Sequence, residues 1–254
     1  MVITEVKLKE IYYSYQGMEH PIFDKLSLTV QRGEFVTLVG PSGCGKTTLL
    51  EIMAGLITDF SGGILLDGLK KLPLGNISLM PQEDLLLPWR TVLENGALPL
   101  EIKGEKKSAA NQQVRELLRE FGLEGFENYY PHQLSGGMRQ RVAFLRSILT
   151  GHRVLLLDEP FSSLDALTRL KMQEWLITMW QKFQPTIIFI THDVEEAIFL
   201  GQSIYIFSMV PNSKLKHYQV PFVYPRNHSL LGNLDFVQLR QQILADMVWG
   251  GADE

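Results

Sequence analysis

Hydrophobic and polar residues follow two different periods along this chain. Apolar positions alternate with polar ones around 3–9 and 26–30, which predicts half-buried strands at the start of the chain. Largely apolar runs at 154–157 and 186–190 are typical of strands buried on both faces, as in a parallel sheet. Residues 35–39 form another apolar run of strand length. Shorter runs predict further strands at 64–66, 77–80 and 203–208. Helical spacing of apolar residues is found in five segments: 49–54, 91–121, 142–149, 166–180 and 234–249.

A glycine-rich turn joins the run at 35–39 to the first predicted helix. Its glycines bring backbone N–H groups close to an anion, and the helix start adds unpaired donors. Lys46 would place its charge on the β- and γ-phosphates, and the Thr47 hydroxyl is placed to bind Mg²⁺. The alternative is a structural turn with an exposed lysine, but the full pattern and its flanks predict a nucleoside triphosphate site. The turn consists of Gly40, Pro41, Ser42, Gly43, Cys44, Gly45, Lys46, Thr47 and Thr48.

Two residues outside this turn are candidates for contacts with the nucleotide. Tyr15 follows the aromatic pair Tyr12 and Tyr13 and could stack on a base or simply pack, whereas core packing is expected for the pair. Gln82 follows the short strand at 77–80, and its amide can both accept a hydrogen bond from water and ligate Mg²⁺.

A second anion site is predicted where Leu-Ser-Gly-Gly-Met precedes a helix. Ser135 stands at the N-cap position, and Gly136 and Gly137 leave the backbone N–H groups open. Arg139 and Arg141 are expected to raise the local positive charge. An ordinary capped helix is the alternative for so short a motif.

Polar residues follow two of the fully buried strands. Because the carboxyl ends of parallel strands face the ligand crevice, Asp158 is placed to hold hydrated Mg²⁺. Glu159 can orient and deprotonate an attacking water, and His192 can donate a hydrogen bond to the γ-phosphate. A structural acid pair and a structural histidine are the alternatives.

Composition limits the classes of function. The chain has 254 residues, 45% of them hydrophobic, and a formal net charge of −4, which argues against a broad electrostatic grip on nucleic acid. No apolar run approaches the ~20 residues of a membrane-spanning helix, and the first residues lack a signal-peptide pattern. Cys44 is the single cysteine, which fits a reducing cytosol.

Five motifs, in this order and spacing, make residues 3–208 resemble an ATPase subunit of an ABC transporter. The resemblance implies an α/β fold: a P-loop NTPase (RecA-like) core with a parallel central sheet, an N-terminal antiparallel β-subdomain and an inserted α-helical subdomain. It implies a single domain over 1–254, with the core at 1–87 and 151–208, the helical part at 88–150 and a tail at 209–254. The motifs are the phosphate loop, Leu134–Met138, Val154–Glu159, Ser163–Asp165 and His192.

The resemblance also assigns roles to residues. It makes Tyr15 the adenine-stacking aromatic, Gln82 the Q-loop residue, Ser135 to Gly137 the signature and Asp165 the aspartate of the D-loop. It implies ATP and Mg²⁺ as cofactors and a head-to-tail dimer, in which Ser135 of one copy caps the γ-phosphate held by Lys46 of the other. Met138 stands where glutamine is commoner, and Gln202-Ser203 replaces the usual Asp-Arg.

The segments 81–95 and 160–169 are most similar to the nitrate, sulfonate and taurine importers, a group that also takes up thiamine precursors. This implies a peripheral protein at the cytoplasmic face of the membrane, bound to an integral-membrane permease and served by an extracytoplasmic solute-binding protein. The apolar stretch Leu85–Trp89 is either buried or part of a partner surface. A soluble ABC ATPase that is not coupled to transport, or an exporter ATPase, is the alternative function.

Overall fold

The computed structural model describes residues 3–17, 19–70, 74–208 and 215–249. Within these ranges, two short 3₁₀ turns, Pro131–Gln133 and His228–Gly232, accompany a regular series of strands and helices. In chain order these are β1 (Thr4–Tyr13), β2 (Phe23–Gln31), β3 (Phe35–Val39), α1 (Lys46–Ala54), β4 (Ser61–Leu66), β5 (Leu69–Lys70), β6 (Ser78–Met80), α2 (Val92–Ile102), α3 (Lys107–Leu118), α4 (Gly136–Leu149), β7 (Val154–Asp158), α5 (Ala166–Phe183), β8 (Thr186–Thr191), α6 (Val194–Leu200), β9 (Ser203–Ile206), β10 (Lys216–Gln219) and α7 (Leu234–Trp249).

The central sheet has six strands in the order β10-β9-β3-β8-β7-β6. All neighbouring pairs from β9 to β6 are parallel, and β10 is antiparallel to β9. Strands β3, β7 and β8 are fully buried, as the apolar runs of β7 and β8 predict. The prediction of a parallel central sheet is therefore confirmed.

The two faces of this sheet belong to different cores. Along β7, Val154 and Leu156 join the core that contains α1 and the strands of the N-terminal sheet. Leu155 and Leu157 join the opposite core, which contains residues of α2 to α5. This alternation follows from the two-residue period of a strand.

The predicted half-buried strands form a separate antiparallel sheet with the order β2-β1-β4-β5. Lys7 pairs with Thr29 on one side of β1 and with Leu65 on the other. Residues 61–63, which resemble a turn in the sequence, are the first part of β4 instead. Glycine at 62 lets the strands approach closely, since a Cβ there would lie 2.5 Å from the Glu10 carbonyl oxygen.

Helices α2, α3 and α4 form the inserted helical part. Thr91 and Glu94 make a reciprocal capping box at the start of α2. The two halves of the predicted helical stretch 91–121 are separated by a turn at residues 103–106. Buried side chains of all three helices contribute to the core on one face of the central sheet.

Two short strands, β5 and β10, do not follow from the sequence pattern. The strand predicted at 203–208 ends at Ile206, and the tail returns as β10 beside it. Helix α7 spans 234–249 as predicted and packs with α6 and β9. Residues 209–214 and 250–254 of the predicted tail lie outside the described residues.

None of the helices in the described ranges is long and apolar enough to cross a membrane. Because β3, β6, β7 and β8 run in the same direction, their carboxyl ends meet at one edge of the sheet. The candidate catalytic and phosphate-binding residues follow these strands in the sequence, so we expect the site at this edge.

Candidate functional site

The glycine-rich turn lies between β3 and α1 at the carboxyl edge of the central sheet. Gly45 has a φ of 97°, in the left-handed region, and a Cβ there would lie 2.6 Å from the Ile22 side chain. A Cβ at Gly40 would lie 2.8 Å from the Cβ of Phe207. Side chains are therefore excluded from both ends of the turn, and its backbone is free to face a ligand.

Lys46 is held inside the turn. Only 5% of the residue is exposed, and its ammonium donates hydrogen bonds of 2.8 Å to the carbonyls of Gly40 and Pro41. The same nitrogen lies 3.6 Å from the Cys44 sulfur, and burial raises the pKa of that thiol. The buried cation is thus fixed by the loop that surrounds it.

Thr47 and Asp158 bring a hydroxyl and a carboxylate together beside this turn. The Thr47 side chain is close to Asp158, which is buried at the end of β7. Burial raises the pKa of Asp158, and the nearby Thr47 hydroxyl opposes that rise. Oxygen ligands of this kind suit Mg²⁺, which usually takes one or two carboxylates together with phosphates and water. Among the described side chains, no group of three or more His, Cys, Asp or Glu could hold a metal by itself.

Glu159 and His192 form a pair across the ends of β7 and β8. The Nδ1 atom of His192 lies 3.0 Å from Oε2 of Glu159. Glu159 has a φ of 41°, an unusual value for a residue other than glycine, and its amide donates to the Ile190 carbonyl at 3.1 Å. The histidine side chain is 57% exposed and the glutamate 19%, so the pair opens towards solvent at the sheet edge.

Ser162 connects this pair to Gln82. Its amide and hydroxyl both donate to the Glu159 carbonyl, at 3.1 and 2.9 Å. The Gln82 amide donates to the Ser162 oxygen at 3.2 Å. No sequence pattern singles out Ser162; its one signal is a hydroxyl three residues after Glu159.

The Leu-Ser-Gly-Gly motif starts α4, as predicted. Ser135 is the N-cap, and its oxygen accepts a hydrogen bond of 3.3 Å from the Met138 amide. A Cβ at Gly136 would lie 2.9 Å from a leucine side chain just before α5, and one at Gly137 would lie 3.1 Å from a threonine methyl of α5. Glycine is needed here for packing as well as for open backbone donors.

The expectation that Arg139 and Arg141 supply free positive charge at this helix start is wrong. The Arg139 guanidinium pairs with Asp84 at 3.0 Å. Arg141 lies over the Trp175 ring, 5.3 Å from its centroid. Residues two apart on a helix point in directions about 200° apart, so the two arginines cannot serve one anion.

Asp165 caps α5 close to the packed glycines. Its carboxylate accepts a hydrogen bond of 3.0 Å from the Thr168 amide. Hydrogen bonding by the Thr168 side chain, and next by this amide, lowers the pKa of Asp165. The residue is exposed, and the turn before it is held by Arg169, which donates to the carbonyls of Phe161, Ser162 and Leu164.

Tyr15 stands over the start of α1. Its hydroxyl lies 3.0 Å from the Thr48 oxygen, and its ring meets Tyr13 edge to face at 5.0 Å. Tyr15 is 40% exposed, so its ring is accessible, and Tyr13 packs against the core. Tyr12 is 44% exposed, which contradicts the expectation that it packs in the core.

Comparison with known proteins identifies the family. A family model described as ABC transporter matches residues 23–162. This chain belongs to the ABC transporter family. It is 43% identical over 221 residues to a formylaminopyrimidine import ATP-binding protein ThiZ of Halalkalibacterium halodurans, covering 87% of this chain and 86% of the relative. It is 41% identical over 249 residues to an aliphatic sulfonates import ATP-binding protein SsuB of Bacillus thuringiensis, covering 97% of each.

A solved structure agrees with this assignment. The dimeric post-hydrolysis state of the ATP-binding cassette MJ0796, bound to ADP and Pi, aligns with a TM-score of 0.72 and 29% identity. The alignment covers 86% of this chain and all of that one. The predictions of the family and of the fold class are confirmed, and as an ABC ATPase the chain binds ATP and couples its hydrolysis to transport.

In this ABC ATPase, the apolar stretch at 85–89 is partly buried and partly exposed. Leu86 is buried, whereas Leu85 and Trp89 are 56% and 70% exposed. Arg146 of α4 donates at 2.8 Å to the Leu85 carbonyl, and the buried Asn95 makes two hydrogen bonds to the Leu87 backbone, at 2.8 and 3.1 Å. The backbone of this segment is therefore fixed by hydrogen bonds to α2 and α4, while two of its large apolar side chains remain on the surface.

Proposed function

We propose that this chain is the ATP-hydrolysing subunit of a membrane importer, working as a head-to-tail pair at the cytoplasmic face of the membrane. The observation that carries the proposal is the group of polar side chains at one edge of the sheet. There Thr47 contacts Asp158 and His192 contacts Glu159, next to the buried Lys46. Phosphoryl transfer relies on this combination of a positioned cation, oxygen ligands and an acid–base group.

In this proposal the phosphate loop binds the triphosphate of ATP. Backbone amides of residues 40–48 and the Lys46 ammonium neutralise its charge. Thr47, Asp158 and Gln82 would hold Mg²⁺, which, when bound, neutralises further charge on the phosphates. Tyr15 would stack on the adenine, since its ring is accessible beside α1.

Glu159 would orient and deprotonate the attacking water. A general base of this kind contributes typically ~10²–10⁴-fold to the rate. His192 would donate a hydrogen bond to the γ-phosphate. Because Nδ1 already contacts Glu159, the bond to the phosphate would come from Nε2.

The second copy would supply Ser135, Gly136 and Gly137 to the phosphate held by its partner. An exposed serine at the start of α4 and open backbone donors suit an oxyanion. Asp165 would lie in the same interface. The dimeric form of a related cassette supports this pairing.

The importer assignment draws on the relatives and on one surface. ThiZ and SsuB are named as import ATP-binding proteins for formylaminopyrimidine and for aliphatic sulfonates. A cleft of about 570 Å³ next to the exposed Leu85 is lined by Gln82, Asp84 and Ser162 among others. We assign this cleft and Trp89 to contact with an integral-membrane permease, with a solute-binding protein on the far side of the membrane.

The chain would act as a single domain whose parts have different roles. Residues 1–87 and 151–208 form the nucleotide-binding core, 88–150 the helical part that carries the second anion site, and 209–254 the tail. Gln82 donates a hydrogen bond to Ser162, which in turn donates to the Glu159 carbonyl. Gln82 also lines the cleft proposed for the permease, so it connects that cleft to the proposed catalytic residues.

The test is to tag this chain, extract its native complex in mild detergent and identify what co-purifies. We expect a small integral-membrane permease, and the ligand of an associated binding protein would identify the solute as a sulfonate, a pyrimidine or another class. The Trp89→Ala variant should lose the permease, whereas the equally tagged Leu234→Ala variant, altered at an exposed position of α7, should retain it. Recovery of only ribosomal or other soluble partners, while other membrane complexes survive, would contradict the importer assignment.

A further inference from the structure

Helix α6 follows His192 directly and is too short to be stable by itself. It contains seven residues, Val194–Leu200, and helices shorter than about 12 residues are marginal in water. Asp193 caps its first turn by accepting hydrogen bonds from the Glu195 and Glu196 amides, at 2.8 and 3.3 Å. The carbonyls that an α-helix leaves unpaired at its last turn still need donors at the other end.

Arg226 of the tail occupies that other end. The residue is 5% exposed, and its Nη1 atom donates to the carbonyls of Ile198, Phe199 and Gly201 at 2.7, 3.0 and 2.8 Å. Its Nε and Nη2 atoms donate to the Phe222 carbonyl at 3.0 and 2.6 Å. One guanidinium thus joins the last turn of α6 to the tail.

Two neighbouring tail side chains complete this contact. The Tyr224 hydroxyl donates to the Leu200 carbonyl at 2.5 Å, and the Arg226 guanidinium lies 4.0 Å from the centroid of the Tyr224 ring. The His228 ring stacks on Phe199 with centroids 4.5 Å apart. The carbonyls from 198 to 201, which an α-helix leaves unpaired at its end, all receive donors from the tail.

The tail also contacts the first turn of α6. Arg240 of α7 forms an ion pair with Glu195, three residues after His192. Buried side chains of α6 and α7, among them Ile198, Phe236 and Ile243, share one hydrophobic core. The helix behind His192 is therefore held at both ends by residues 215–249.

We propose that Arg226 is a positioning residue for hydrolysis: it fixes α6 and thereby holds His192 in place against Glu159. This inference rests on the proposed role of His192. Arg226 itself contacts neither ATP nor the reacting atoms; it acts through the helix. It also gives the tail a function, since the phosphate loop is carried by β3 and α1 and should bind ATP without it.

The chemistry of the contact requires arginine. The guanidinium presents five N–H donors in a rigid planar fork, which can serve the carbonyls of α6 and of Phe222 together. A lysine has its three donors on a single nitrogen. Arg226→Lys should therefore retain the charge without restoring the geometry.

The test measures single-turnover ATP hydrolysis by the full-length chain in its native complex. Arg226→Met should lower the hydrolysis rate about 10- to 100-fold while the KM for ATP changes less than about twofold, because displacement of a group by about 1 Å can cost ~10²-fold. His192→Ala should lower the rate at least as much. Adding Arg226→Met to His192→Ala should then cause little further loss.

Matched variants separate this effect from general damage to the fold. Lys216→Met removes another tail cation, which pairs with Asp246 at 2.7 Å, and should leave the rate within about twofold, as expected of an exposed ion pair. Tyr224→Phe removes only the donor to Leu200 and should give a smaller loss than Arg226→Met, so it serves if the arginine variant does not fold.

Two results would overturn the inference while leaving the proposed function intact. One is the same loss from Arg226→Met with and without His192, which would show a purely structural role. The other is an unchanged rate in well-folded Arg226→Met. A wild-type rate in His192→Ala would instead overturn the proposed role of His192, and this inference with it.

Discussion

In the function proposed above, the starts of helices α1 and α4 both face an anion, yet the two sites differ in how complete they are. At α1, Gly45 offers no side chain to cap the helix, and the buried Lys46 provides a fixed cation. At α4, the side chain of Ser135 already caps the helix, and the nearby Arg139 is paired with Asp84.

In the proposed function, one chain therefore supplies one whole phosphate site and one partial site. A helix start with a buried lysine can bind a highly charged phosphate by itself. A capped helix start whose nearby arginine is already paired would be a weak site, useful only when another surface brings the phosphate to it. Dimerisation around ATP would follow from that asymmetry.

The largest effect is expected from Glu159→Gln. Loss of the general base should lower the hydrolysis rate by about 10²–10⁴-fold while both anion sites remain intact. ATP should therefore bind and not turn over, and dimers should accumulate. Size-exclusion chromatography with light scattering, with and without ATP, measures this. Wild-type turnover would remove Glu159 as the base.

The arrangement of that trapped dimer can be checked with Ser135→Cys in the same background. Oxidation should join the new thiol to Cys44 of the other copy when ATP is present. Because burial raises the pKa of the Cys44 thiol, mildly alkaline conditions should assist the reaction. Cross-linking that is independent of ATP would count against head-to-tail packing.

A smaller but sharper contrast is expected between Lys46→Ala and Ser135→Ala. Removing the buried cation should weaken ATP binding to the single chain by about 100-fold or more, since a charged hydrogen bond contributes about 1.5–3 kcal/mol and more than one phosphate is involved. Ser135→Ala should leave this binding almost unchanged, because its ligand lies on the other copy. Calorimetry with ATP in EDTA measures both.

Either of two results would contradict the proposed difference between the starts of α1 and α4. Tight ATP binding by Lys46→Ala would refute the role of the phosphate loop. Equal losses in the two variants would show that one chain uses both sites on one nucleotide. Lys171→Ala, at an exposed position of α5, serves as the charge-matched control.

The smallest effect concerns pH. Burial raises the pKa of Asp158, so the carboxylate that Mg²⁺ needs begins to be lost at a higher pH than for an exposed aspartate. The Mg²⁺-dependent part of ATP affinity should therefore fall as the pH is lowered, by no more than about tenfold per pH unit for one proton. Calorimetry with and without Mg²⁺ measures this.

Asp158→Asn should remove this pH dependence, and the exposed Asp235→Asn on α7 should retain it. The contribution of Asp158 to folding stability has the opposite dependence on pH. A carboxyl whose pKa is raised in the folded state stabilises the fold when protonated, and that contribution is lost as the pH rises through the folded pKa. A flat Mg²⁺ profile in the unaltered chain would exclude Asp158 as a ligand.

The elements with the strongest patterns could be predicted from the sequence. Largely apolar runs identified β3, β7 and β8, and for β7 and β8 they also predicted burial on both faces. The polar residues that follow them could then be assigned to one edge of the sheet. Strands β5 and β10 could not be predicted because they are short, and β10 is mostly exposed and polar.

Long-range contacts were beyond the reach of a local pattern. Nothing around Arg226 in the sequence indicates that it reaches back to residues 198–201. The partners of Arg139 and Arg141 depend on how α4 packs against the loop that contains Asp84 and against α5. Tyr12 faces solvent although its neighbour Tyr13 packs inward, because successive residues of a strand point to opposite faces.

Strand β10 has a consequence for how the protein avoids aggregation. It pairs antiparallel with β9 over four residues, from Lys216↔Ile206 to Gln219↔Ser203. Without it, β9 would present unpaired amides and carbonyls on an apolar edge, which is a template for association with other chains. A short, largely polar strand terminates the sheet instead, and its exposed polar side chains make this edge a poorer template for pairing with other chains.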